Sequence, residues 1–179
     1  MTPMTEVRIA HTADLDAATL KAARTLLYDV FDDMTAEDWE HALGGLHALI
    51  HEDGVLTGHA CVVQRRLLHG GRALRCGYVE GVGVRADRRG HGLGAALMGA
   101  LEPLVRRAYD LGALGASDEA AAFYAARGWQ LWRGRSWAFT PDGIRRTPDE
   151  DGCIYVFPGS ARLDLDADLT CDWREGDVW

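Results

Sequence analysis

One stretch of this chain constrains its fold more than any other: a strand that hands over to a helix through a basic, glycine-rich turn. Leu74 to Val84 reads as a strand. The chain then crosses Arg85-Ala86-Asp87-Arg88-Arg89-Gly90-His91-Gly92 and enters a stripe of Leu93, Leu97, Leu101, Leu104 and Val105, at helical spacing, extending toward Leu111. A helix start carries N–H groups with no intrahelical partner and a partial positive charge, which together suit an anion. Arg88 and Arg89 add full charges, and Gly90, Gly92 and Gly94 bring no side chain to hold a phosphate off the backbone. The expectation is a pyrophosphate loop. The dinucleotide fingerprint GxGxxG does not fit the GxGxG spacing, and the lysine of a P-loop is missing. A glycine turn without a ligand is the plain alternative.

The surroundings place that loop in a mixed α/β sheet. Val7 to Ala10 reads as an edge strand. Asp14 or Asp16 caps a helix toward Val30, with Leu20, Ala23, Leu27 and Phe31 on its apolar face. After the acidic stretch from Asp32 to Glu40, three strands, Leu46 to His51, Val55 to Leu68 and Leu74 to Val84, are separated by Asp53-Gly54 and Gly70-Gly71, turns that favour antiparallel hairpins. Past the long helix, Ala113 to Ala116 precedes a helix from Asp118 to Arg127, with Gly128 suited to its C-terminal cap. Further strands are expected at Trp129 to Trp132, Ser136 to Phe139, Ile154 to Phe157 and Leu169 to Trp173, interrupted by Pro141, Pro148 and Pro158. With 179 residues, no linker and no repeat, residues 1–179 read as one domain.

Composition removes several function classes. A net charge of −8 disfavours nucleic acid and leaves either a solvated acidic surface or a cationic ligand. No apolar stretch approaches the roughly 20 residues of a membrane span. Cys61, Cys76, Cys153 and Cys171 form no CxxC pair, and Met1 to Arg8 has no leader-like apolar run, so a cytoplasmic protein with reduced thiols is expected, a disulfide being the alternative that the even count leaves open. His47 and His51 are four apart, but their segment alternates as a strand and no third ligand completes HExxH spacing, so no metal is expected.

Arg89-Gly90-His91-Gly92-Leu93-Gly94, preceded by Val82-Gly83-Val84 and followed by Phe123-Tyr124-x-x-x-Gly128-Trp129, resembles the GNAT superfamily of N-acetyltransferases. A narrower resemblance, to the aminoglycoside 2'-N-acetyltransferases, covers essentially the whole chain. It rests on residues 38–50 (DWEHALGGLHALI), 73–80 (ALRCGYVE), 146–152 (RTPDEDG) and 171–179 (CDWREGDVW). The resemblance implies a GNAT fold, a mixed and mainly antiparallel twisted sheet flanked by helices with a splayed central strand. Acetyl-CoA would lay its pantetheine arm along Val82, Gly83 and Val84 and its pyrophosphate on Arg88, Arg89, Gly90, His91, Gly92, Leu93 and Gly94, leaving CoA as product. It further implies a cationic aminoglycoside of gentamicin, tobramycin or kasugamycin type as substrate, and a homodimer.

Acyl transfer to an amine needs a base, donors for the oxyanion and a proton for the departing thiolate. Glu80, at the strand end, can serve as the base through a water, and the Val82 N–H as the oxyanion donor. Tyr124 is a core tyrosine by composition alone; the resemblance makes it the general acid. Asp33, Asp38, Glu80, Glu150 and Asp151, with the backbone of Gly81, are the candidates for holding ammonium groups. The resemblance adds the terminal carboxylate of Trp179 and the region of Gly115 and Ser117. Gly115 stands where such enzymes often have serine, and Glu150 where aspartate is usual. Asp16, Asp87, Asp164 and Asp166 read as surface or capping residues. A protein or polyamine acetyltransferase and a non-catalytic acetyl-CoA sensor are the alternatives.

Overall fold

The computed structural model describes residues 4–179; expectations for residues 1–3 lie outside it. These residues fall into two compact units, one of residues up to Val63 with Val79–Pro103, the other of Gln64–Tyr78 with Leu104–Trp179. Two long strands and one helix each contribute a segment to both.

In the first unit, strand β1 (Arg8–His11) leads to helix α1 (Ala17–Val30), capped by Asp16, whose carboxylate accepts from Thr19 N–H at 2.7 Å. Ala23, Leu26 and Leu27 are its buried face; Phe31 falls past the last turn and is exposed. Helix α2 (Ala36–His41) is closed by a capping box between Thr35 and Asp38 and buries Trp39. Strands β2 (Leu46–Glu52), β3 (Val55–His69) and β4 (Arg72–Val84) follow. β2 lies antiparallel between β1 and β3. β3 and β4 are sheet neighbours joined by two residues, a connection only antiparallel strands allow. Helix α3 (Leu93–Ala108) begins in this unit. Ala23, Leu26, Leu27, Trp39, Leu49, Leu56 and Cys61 form its buried cluster.

The second unit holds β5 (Leu111–Gly115), α4 (Asp118–Ala126), β6 (Gln130–Leu131), β7 (Ser136–Thr140), β8 (Gly143–Arg146), β9 (Ile154–Pro158) and β10 (Leu169–Cys171). Its strands run β6-β9-β5-β4 and β3-β10-β7-β8; β5 is parallel to β4 and β10 parallel to β7, the other registered pairs being antiparallel. α3 stops at Ala108, short of Leu111, because the Asp110 N–H leaves the helix for the Arg75 carbonyl at 2.9 Å and starts β5. Two expected strands are shorter than their apolar runs, at residues 130–131 and 169–171. The β4–β5 register covers Cys76, Gly77 and Tyr78 and no more, so residues 79–84 continue with β3 as their sheet neighbour. This is the mixed, mainly antiparallel GNAT arrangement with its splayed strand.

Candidate active site

Glu80, Gly81 and Val82 sit where β4 loses regular pleating. Gly81 has φ +54°, and a Cβ there would stand 3.0 Å from Leu27 Cδ1, so both conformation and space call for glycine. Successive carbonyls of a regular strand point to opposite edges. Here the Glu80 carbonyl accepts from the Cys61 thiol at 3.4 Å and the Gly81 carbonyl from His59 Nδ1 at 2.7 Å, both from side chains of β3. In a trans peptide the N–H points opposite to the C=O. The Gly81 and Val82 N–H groups therefore both point opposite to those anchored carbonyls, and the Glu80 side chain just before them in sequence is half-buried.

In the glycine loop, Gly90 and Gly92 adopt φ of +76° and +79°, and a Cβ at either would meet nothing within 4 Å. Backbone conformation requires these glycines. The first α3 hydrogen bond runs from Ala96 N–H to the Gly92 carbonyl, so the N–H groups of Leu93, Gly94 and Ala95 have no intrahelical acceptor. Arg89, Gly90, His91 and Gly92 are exposed; His91 Nδ1 lies 2.9 Å from the Arg89 carbonyl. Val82 and Val84 are half-buried, Gly83 buried. Arg88 behaves differently from the sequence expectation: Glu52 takes its fork in two bonds of 2.6 and 2.8 Å, so its charge is already matched. Asp33 is exposed just past α1. Asp38 receives both the N–H and the hydroxyl of Thr35, at 2.8 and 2.9 Å, and is a cap first.

In the second unit, Tyr124 lies on α4 with its ring edge-on to Phe123 at 5.1 Å and Trp129 at 6.1 Å. Burial pushes its phenol up to about 12, so it is a donor at any working pH. Gly115 ends β5, exposed; Ser117 stands at the N-cap of α4 with a hydroxyl that makes no capping bond.

Asp151 is engaged within the protein. Its carboxylate takes bonds from the Ser136 N–H and hydroxyl and from both terminal nitrogens of Arg146, which hold it far below the usual carboxylate range. It is a buttress of the 147–151 turn, with little left for a substrate. Glu150 is the opposite case: burial, then the neighbouring Asp177 and Asp149, raise its carboxyl. The Trp179 indole is buried, with Nε1 donating to Thr147 Oγ1 at 3.0 Å, while the Trp179 N–H donates to Asp177 Oδ1 at 3.2 Å. Asp177, not among the sequence candidates for the site, thus meets the Trp179 N–H and raises the Glu150 carboxyl by its charge. Arg65 secures this terminal strap through Asp172 and the Val178 carbonyl.

His47, His59 and Cys61 bring their ligand-capable atoms within 4.8 Å of one another. Those atoms are already joined to each other, to Thr12 and to the β4 carbonyls. The arrangement is a hydrogen-bond chain. Asp16, Asp87 and Asp166 are a helix cap and the partners of Arg85 and Arg133, as surface readings of them require.

The profile of the acetyltransferase (GNAT) family matches residues 13–129. The aminoglycoside 2'-N-acetyltransferase of Mycolicibacterium fortuitum is 51% identical over 177 residues, covering 96% of this chain and 91% of that protein. Among solved structures, YhbS from Escherichia coli in complex with CoA has a TM-score of 0.65 at 15% identity, over 98% of this chain and 93% of its own. Eis1 from Mycobacterium abscessus has a TM-score of 0.61 at 22% identity over 75% of this chain, which spans only 33% of Eis1. These two likenesses concern the fold. Together with the splayed strand and the glycine loop, the matches show that the chain belongs to the GNAT family of acetyltransferases, in the branch of the aminoglycoside 2'-N-acetyltransferases.

Proposed function

We propose that this enzyme transfers the acetyl group of acetyl-CoA to the 2'-amino group of an aminoglycoside, inactivating the antibiotic. The whole-length 51% identity to a protein of that name carries the reading. The geometry fits it. The half-buried Glu150 and the exposed Asp177 form a pair of acids whose repulsion a polyammonium ligand would relieve. Trp179, Gly115 and Ser117, in the same unit, would shape that site, with Asp151 bracing its turn; Asp33 and Asp38 are the further acids proposed to hold ammonium groups.

Acetyl-CoA supplies an activated thioester. Glu80, through a water, removes a proton from the substrate ammonium, and the amine attacks the thioester carbon. The Val82 N–H, with that of Gly81 beside it, holds the charge developing on oxygen. As the C–S bond breaks, Tyr124 donates to the sulfur, which leaves as the CoA thiol. Loop N–H groups at the start of α3 and Arg89 bind the pyrophosphate, with Arg88 bracing the loop through Glu52. All four cysteines are free thiols, which accords with a reducing cytoplasm, and the resemblance favours a homodimer.

The deciding experiment is thiol release from acetyl-CoA against a panel of aminoglycosides, polyamines and peptide N-termini, with the product's acetylated nitrogen located by NMR. Acetylation at the 2'-amine is expected. Turnover of peptides or polyamines alone would replace the acceptor, and cofactor binding without turnover would make the protein a sensor. Glu150→Gln should raise KM for the antibiotic about tenfold or more while kcat changes little, because the contact serves ground and transition states alike. A wild-type KM would remove Glu150 from the site. Gly92→Val should weaken acetyl-CoA binding about tenfold or more, since a β-branched residue strains the left-handed backbone that shapes the loop. Calorimetry showing unchanged affinity would move the pyrophosphate elsewhere.

A further inference from the structure

The carbonyl of the Gly81–Val82 peptide accepts from His59 Nδ1 at 2.7 Å. His59 is fully buried, as is His47 behind it, and burial holds both imidazoles down at about 4, so both are neutral at working pH. A neutral ring has one proton. A carbonyl can only accept, so the proton of His59 is on Nδ1 and its Nε2 must accept. The partner at Nε2 is His47 Nδ1, at 2.9 Å, which must donate. His47 Nε2 then accepts, and the Thr12 hydroxyl, 2.7 Å away, gives its proton there while receiving the Gly44 N–H at 2.9 Å. The Gly81 carbonyl fixes the direction of each bond back to His47 Nε2, and the Thr12 hydroxyl, whose other acceptor is the Gly45 carbonyl at 3.4 Å, meets that nitrogen at the shorter distance. Hydrogen bonds in such a chain polarise one another, and the last of them acts on the peptide that carries the Val82 N–H.

We propose that His59 is a positioning residue for acetyl transfer, with His47 and Thr12 behind it: the chain anchors the Gly81 carbonyl inward and thereby presents a polarised Val82 N–H outward to the reacting thioester oxygen. The inference rests on the reading of that N–H as the oxyanion donor. It gives the buried His47 and His59 a use that a metal would not leave open, since their lone pairs and protons are committed to each other, to Thr12 and to the Gly81 carbonyl. The Cys61 thiol on the Glu80 carbonyl is the parallel anchor one peptide earlier.

Two measurements test it. In the folded wild-type protein, ¹⁵N NMR should find both imidazole protons on Nδ1, with the Val82 amide resonance moving in His59→Leu. In kinetics with an accepted amine, His59→Leu should lower kcat about ten- to hundredfold, part of the loss expected for an oxyanion donor, with acetyl-CoA affinity and KM within about threefold of wild type. His59→Asn should recover most of the rate, because its amide nitrogen stands where Nδ1 stands and keeps the bond to Gly81. A merely structural histidine would show lower stability in both variants and no difference in kcat. A proton on Nε2 of His59, a Leu variant as fast as wild type, or stoichiometric zinc bound by the wild-type protein would each overturn the proposal. Inactivity of the wild type toward every amine would instead defeat the function proposed above, and the catalytic consequence with it. The NMR result would still decide the orientation of the peptide.

Discussion

Replacing Tyr124 by phenylalanine is expected to lower kcat by roughly 10²–10⁴-fold, the usual reach of a general acid. That is about 3–5 kcal/mol of transition-state stabilisation. The fold should survive, because the ring keeps its edge contacts with Phe123 and Trp129. KM for both substrates should stay near wild type, since the proton is needed only as sulfur acquires charge. The raised phenol sharpens the expectation. A pKa of about 12 against about 8.5 for an ordinary thiol keeps full transfer uphill even to the departed thiolate, so the phenol serves the sulfur as a hydrogen-bond donor while charge builds on it. Tyr124 therefore acts late, by donating to the sulfur as it leaves. It also means that no falling limb in kcat near neutral pH belongs to this residue: it remains protonated well into the alkaline range. Thiol-release kinetics of Tyr124→Phe across pH 6–10 give the answer. A rate within about threefold of wild type throughout would assign the proton to water and remove Tyr124 from the chemistry.

The elements that carry chemistry were legible because their signals are local. The period change at Val84–Leu93 and the turns at Asp53-Gly54 and Gly70-Gly71 each lie within a few residues, and β2, β3, β4 and the start of α3 stand where those signals put them. Two elements carried local signals that went unread. Thr35 three residues before Asp38 is a capping pair, with the shorter acid in place of glutamate, and it starts α2. Thr140-Pro141-Asp142-Gly143 is a hairpin turn that had been read as an interruption, and it joins β7 to β8. Other features were not local. Arg88 finds Glu52, Asp151 finds Ser136 and Arg146, and Glu150 finds Asp177, at separations that no periodicity reports. An acidic or basic residue at a plausible position looks the same in sequence whether its charge is matched inside the protein or left for a ligand. The histidines show this most clearly. His47 and His51 share a spacing, yet the pair that matters is His47 and His59, aligned across neighbouring strands by the β2–β3 register.

Arg65 supplies the other large expected effect. Arg65→Met should cost about 3 kcal/mol of stability, the low end of the range for breaking a buried ion pair. The side chain is 4% exposed and lies over the Tyr78 ring at 4.6 Å, while Nε donates to Asp172 Oδ1 at 2.8 Å and Nη2 to the carbonyls of Asp172 and Val178 at 3.0 and 2.7 Å. Methionine fills much of the volume but satisfies none of those acceptors. The Asp172 carboxylate, 39% exposed and also receiving the Arg66 N–H, can rehydrate, which keeps the loss from reaching the upper end. For a chain of this size the loss corresponds to a fall in Tm of about 6–12 °C. The consequence should be local as well as global, because Arg65 ties the last eight residues to the second unit at both ends of the strap, Asp172 and Val178. Loosening it should free Asp177 and Trp179, so KM for an aminoglycoside should rise while acetyl-CoA affinity is unchanged. Thermal melting of Arg65→Met, Asp172→Asn and the double variant would measure the coupling between the two charges. Carboxypeptidase digestion of the same proteins reports the strap. If Arg65→Met melts within about 2 °C of wild type and its C-terminus is no more readily digested, the strap is held by the Trp179 indole alone, and the arginine contributes packing rather than an anchor.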